Sequence, residues 1–69
     1  MSLRKRSLVL SGHAPSVALE PEFWAVLERV AAERHLSLAA LFVELDARRG
    51  DRPLASAARV AALAFAQGR

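Results

Sequence analysis

The residues of this sequence that can do chemistry are few, and most of them are cations. Arg4, Lys5 and Arg6 form an uninterrupted basic run, which is either a solvated N-terminal tail or a contact for an anionic partner. His13 and His35 stand in no spacing that builds a metal site: cysteine is absent, and neither an HxxxH nor an HExxH pattern occurs. The carboxylates fall mostly on helical positions expected to face solvent, where ion pairing is their ordinary use. No glycine-rich phosphate loop is present. The chemistry expected is therefore binding, with no catalytic residue, no metal and no cofactor, and the protein is not expected to be an enzyme.

The elements that must position these residues follow from spacing. Residues 1–6 are the basic N-terminal arm, and residues 7–20 form a strand region in two pieces. "SLVLS" is a brief apolar run, "GHAP" is turn chemistry, and "SVALE" alternates with Val17 and Leu19 on one face. The first piece either pairs back as a hairpin arm or continues as one kinked strand; spacing alone leaves both open. Residues 21–35 are predicted as a first helix, with Pro21 at its first position and Glu20 and Glu22 at the positive end. Phe23, Leu27 and Val30 form its apolar stripe, with Trp24 and Ala31 on the flank and Trp24 partly buried. Ser37 caps a second helix over 37–49, whose stripe is Leu38, Leu41, Phe42 and Leu45 and whose end is marked by Gly50. A third helix over 54–67 follows Pro53, with Val60, Leu63 and Ala64 on one side and Ala57, Ala61 and Phe65 nearby.

Sixty-nine residues make one small domain, 1–69. Chains of this size bury only about 60% of their unfolded surface. Yet 54% of the residues are apolar, and no disulfide is available to help. A homodimer with a shared core is the expected resolution. No run is long enough to cross a membrane, and the apolar stretch after Arg6 is too short for a secretory signal. The chain reads as cytoplasmic. Its net charge of +3 is modest support for an anionic partner.

Residues 16–47, "SVALEPEFWAVLERVAAERHLSLAALFVELDA", resemble the ribbon-helix-helix family in the alternating Val17 and Leu19, the short "RHLS" connection and the apolar positions of the second helix. The longer string from Lys5 to Asp46 is similar to a bacterial branch of it, with a "GH.TSVSLE.EFW" segment and a further C-terminal helix. The resemblance implies a mainly α fold with a short N-terminal strand. Two chains would interlock as a homodimer through an intermolecular antiparallel β-ribbon, with a third helix added. It also implies a DNA-binding transcriptional regulator whose ribbon enters the major groove of double-stranded DNA. Ala14, Ser16 and Ala18 would then face the bases. Val17 and Leu19 would join Phe23, Leu27, Val30, Leu41, Phe42 and Leu45 in a dimer core. Phosphates would be met by Arg4, Lys5 and Arg6 as an arm, and by the backbone N–H groups of Ser37, Leu38 and Ala39 beside Arg34 and His35.

The sequence departs from the family at the ribbon. Base-facing positions there usually carry Arg, Lys, Asn, Gln or Thr, and Pro15 stands where the branch tends to have threonine. The second reading is therefore an antitoxin-like or adaptor module on the same dimeric scaffold, with the apolar third helix as its surface for a protein partner.

Overall fold

Ser11 and Gly12 set the architecture of the N-terminal third. In the computed structural model, which describes residues 2–68, both take positive φ, 35° and 92°. A two-residue type I′ hairpin turn requires that combination, and Gly12 adopts it without steric cost. Leu10 and His13 exchange both backbone hydrogen bonds across the turn, at 2.7 and 2.8 Å. The register then runs on without a slip. Leu8 N–H donates to the Pro15 carbonyl at 3.1 Å, and β1 (Arg4–Ser7) pairs antiparallel with β2 (Ser16–Leu19), from Ser7↔Ser16 to Arg4↔Leu19.

Of the two courses open to residues 7–11, the hairpin is the one taken. The basic run is consequently a strand and not a free arm, and one edge of β2 finds its partner in its own chain. Three helices follow: α1 (Pro21–Glu33), α2 (Leu38–Arg48) and α3 (Leu54–Ala66). Pro21 opens α1 where its missing N–H costs nothing, and the Ser37 hydroxyl caps α2 by accepting from Ala40 N–H at 3.0 Å.

The hairpin lays its apolar face on the helices, and a core closes within one chain. Leu8, Leu10, Val17 and Leu19 from the hairpin meet Trp24, Leu27, Val30 and Ala31 of α1 and Leu41 and Phe42 of α2. α3 packs against α1, α2 and β2 and closes the remaining side with Ala58 and Ala62, both fully buried. Val17 and Leu19 need no second chain to leave water. Among the expected dimer-core residues, only Phe23 and Leu45 stay half-buried at the margin of this cluster.

Two helical faces differ from expectation. On α1 Leu27 and Val30 are buried as expected, together with Ala31. Trp24 takes the inward place expected for Phe23, because the indole fills the space between hairpin and α2 and stands 5.7 Å from the Phe42 ring. On α3 the inward face is Ala58 and Ala62, while Val60 and Leu63 remain 50% and 55% exposed. An alanine-rich helix is apolar on more than one face, so periodicity does not choose between them. The smallest side chains face inward because they let the helix approach α1 and β2 closely. Among the described residues, no helix is long and apolar enough to cross a membrane.

Candidate nucleic-acid interface

The hairpin register decides what its solvent face carries. Directly opposed residues share a face of an antiparallel pair, so Lys5 stands beside Ala18 and Ser7 beside Ser16. The Ser7 and Ser16 hydroxyls are 3.4 Å apart. Continuing the register sets Val9, 74% exposed, against Ala14. Ala14, Ser16 and Ala18 thus share the outer face of the hairpin. The hairpin adds Lys5 and Ser7 to them, residues that spacing alone gave no reason to place there.

The two arginines of the basic run face the other way, opposite Leu19 and Val17. The Arg6 guanidinium lies 4.7 Å from the Trp24 ring centre and bonds Glu28 at 2.7 Å. The Arg4 carbonyl accepts from the indole N–H at 2.9 Å. Arg6 is therefore committed to the chain's own helix, and Lys5 is the cation of the run that stands on the outer face.

The free edge of β2 follows from the same register. Leu8 bonds to Pro15 and Leu10 to His13, so odd-numbered residues of the second strand turn their backbone groups toward β1. Ser16 and Ala18 turn theirs outward. The N–H that Pro15 lacks belongs to the paired side, so Pro15 takes no donor from the open edge. At the far end Arg59 of α3 reaches this edge: Nε donates to the Glu20 carboxylate at 3.0 Å and Nη2 to the Ala18 carbonyl at 3.5 Å. A hydrogen bond from its own backbone, and then Arg59, hold the Glu20 carboxyl below its ordinary range.

The expected phosphate contacts around the α1–α2 connection divide. Arg34 is engaged by both oxygens of Glu44, each at 3.0 Å, which offsets its charge. The Ser37 hydroxyl is spent on the cap. Leu38 and Ala39, at the first two helical positions, have N–H groups without an acceptor inside α2. His35 takes φ of 57°, because it sits just past the end of α1 in a left-handed turn. Leu36 N–H bonds the Ala31 carbonyl at 2.8 Å and His35 N–H the Ala32 carbonyl at 3.1 Å, the paired bonds of a Schellman motif.

That site favours glycine, since a Cβ in left-handed backbone costs about 1 kcal/mol or more. His35→Gly is expected to stabilise the fold by about 1 kcal/mol and raise Tm by about 4–8 °C, as thermal unfolding would read. A lower Tm would mean that the imidazole contributes a contact worth more than the strain.

A short β-ribbon ahead of a pair of helices is an architecture that enters the DNA groove. Residues 3–66 match the ribbon-helix-helix domain, and the chain belongs to that family. Domains of this family are in general DNA-binding transcriptional regulators or antitoxins, regulatory folds without enzymatic activity. Comparison with curated proteins and with solved structures returned no match.

Proposed function

We propose that this protein is a homodimeric DNA-binding transcriptional regulator, in which two copies of β2 pair along their free edges and carry the outer face into the major groove. The observation that carries the reading is the open edge of β2, with the Ser16 and Ala18 N–H groups turned outward on an apolar-backed strand. Uncovered edges of this kind are templates for another strand.

Dimensions assign the roles. Four strands, β1 and β2 from each copy, put the two outer strands about 14 Å apart at a spacing of about 4.8 Å. The major groove is about 12 Å wide and admits two strands. The β2 pair then lies over the bases, with Ala14, Ser16 and Ala18 facing them. β1 lies over the groove walls, where Lys5 and Ser7 meet phosphate. One hydroxyl and several methyl groups make a sparse base-reading set, so most of the affinity falls to phosphate contacts, Lys5 first and the Leu38 and Ala39 N–H groups with it.

The test is binding of each variant to a duplex selected from a random pool and to a scrambled duplex, across several salt concentrations. Lys5→Ala removes one phosphate contact per copy. It is expected to weaken both duplexes alike and to lower the slope of log affinity against log salt by about 1.8 per dimer. Ser16→Ala should change sequence preference and leave that slope unchanged, because base contacts specify and phosphate contacts position. If no duplex binds at low salt, the reading fails. The second reading, an antitoxin-like or adaptor dimer that binds protein through α3, then takes its place; the exposure of Val60 and Leu63 on α3 favours it.

A further inference from the structure

The C-terminal half of α2, the connection after it and one face of α3 enclose an open cleft of about 330 Å³ that the hairpin does not reach. Its floor and walls are apolar: Leu45 on α2, and Val60, Ala61, Ala64 and Phe65 on α3. Its rim is not. Arg48, Arg49 and Arg52 stand along one side, and among the described residues no carboxylate lines the cleft. Arg49 is held in place, with Nε donating to Asp46 at 2.6 Å and Nη1 to the Arg52 carbonyl at 2.8 Å. Among the described residues, Arg48 and Arg52 have no carboxylate within ion-pair distance.

We propose that this cleft is a docking site for an acidic amphipathic helix of a partner protein. The inference rests on the fold alone and holds whether or not the ribbon binds DNA. Charge complementarity selects the partner: the Arg48 and Arg52 guanidiniums beside an apolar floor match a helix with one apolar stripe flanked by carboxylates, which arginine can grip through two bonds at once, while Arg49 is already engaged by Asp46. Shape selects a helix. Ala57, Ala61 and Ala64 repeat along α3 at helical spacing, and small side chains let a third axis come within the roughly 8 Å of close helix packing. The volume lies at the low end of ligand sites and is open along the helices, so it takes a row of leucine-sized side chains and not an enclosed cofactor. A nucleic-acid duplex, whose bases are stacked inside, would meet the apolar floor at Leu45 and Phe65 with its phosphate backbone.

The probe is a fluorescent synthetic helix with leucine at i, i+3, i+4 and i+7 and glutamates on both flanks, compared with the same peptide carrying lysine for glutamate. Anisotropy with the full chain should show the acidic peptide binding about tenfold or more tighter than the lysine peptide. Arg48→Glu with Arg52→Glu should invert that preference. Val60→Asp, at a half-exposed position, should weaken the acidic peptide about tenfold while circular dichroism stays native. Equal affinity for both peptides, or no binding of the acidic one, overturns the proposal. So does a loss of self-association in the double arginine variant by sedimentation, which would make the cleft an interface between copies. A loss of duplex binding with peptide binding unchanged would assign these arginines to nucleic acid and overturn it equally.

Discussion

Trp24→Ala is expected to unfold the protein at physiological temperature. The indole is 2% exposed and is the largest side chain of the core. It ties three elements together: its N–H bonds the Arg4 carbonyl in β1, its ring lies beside Phe42 of α2, and its face receives the Arg6 guanidinium. Removing a buried tryptophan costs about 3–5 kcal/mol. A single core in a chain of this length rarely supplies more than about 3–5 kcal/mol in total. The substitution therefore consumes the margin. Trp24→Phe separates the contributions, since it keeps most of the apolar volume and loses the hydrogen bond to β1; a cost of about 1–2 kcal/mol is expected. Urea unfolding at one fixed protein concentration reads both, because dimerisation would make the midpoint depend on concentration. An alanine variant with a native spectrum and midpoint would mean that the hairpin is held on the helices by Leu8, Leu10, Val17 and Leu19 alone.

The helices were legible because their signals are local. Pro21, Ser37 and Gly50 mark ends by backbone chemistry that needs no knowledge of the rest of the chain, and each stands where the structure begins or ends a helix. β1 was not legible for the opposite reason. Arg-Lys-Arg-Ser has neither alternation nor β-branched residues, and its pairing is imposed from the turn. The sequence reading puts that turn over "GHAP", whereas Ser11 and Gly12 close it one residue earlier. Serine is an uncommon residue at positive φ, so the signal was weak. Once the turn is fixed, register alone puts Lys5 and Ser7 beside Ala18 and Ser16.

The same distinction runs through the candidate site. Period-two spacing was enough to set Val17 and Leu19 on one face, and the family resemblance put Ala14, Ser16 and Ala18 on the other. Neither could show that Arg34 is neutralised by Glu44, ten residues on and across the α1–α2 connection, or that Arg6 is drawn onto Trp24. The cleft beside α3 was hidden for a further reason. With alanine on several faces, only contact with α1 and β2 decides which stripe is buried, and the stripe left outside is the one that lines the cleft.

Ala18→Pro is expected to give a folded monomer. In the proposed dimer a two-fold axis at Val17 sets Ser16 of one copy opposite Ala18 of the other, with about four backbone hydrogen bonds between them. Proline at 18 removes the N–H that faces the open edge and leaves the bonds to β1 intact, since those come from Val17 and Leu19. An edge position tolerates the ring. Two bonds are lost per dimer, each worth about 0.5–1.5 kcal/mol, so the dimer dissociation constant should rise about 10- to 100-fold. The ring adds steric conflict to that. Backbone N-methylation of Ala18, installed by chemical synthesis, removes the same donor without changing φ so severely and should act in the same direction. Val17→Asp cannot serve here, because Val17 is buried within its own chain and a carboxylate there unfolds the monomer first. Sedimentation equilibrium gives the dissociation constant, circular dichroism shows that the hairpin and helices persist, and duplex binding should fall together with the dimer. Arg59 sharpens the test. It already occupies the Ala18 carbonyl from the far end of the edge, so Arg59→Ala should leave the fold native and shift the dimer constant if that carbonyl is used in pairing. Should Ala18→Pro remain as dimeric as the parent chain, the copies meet through a surface other than β2, and the groove-entering ribbon has to be abandoned with it.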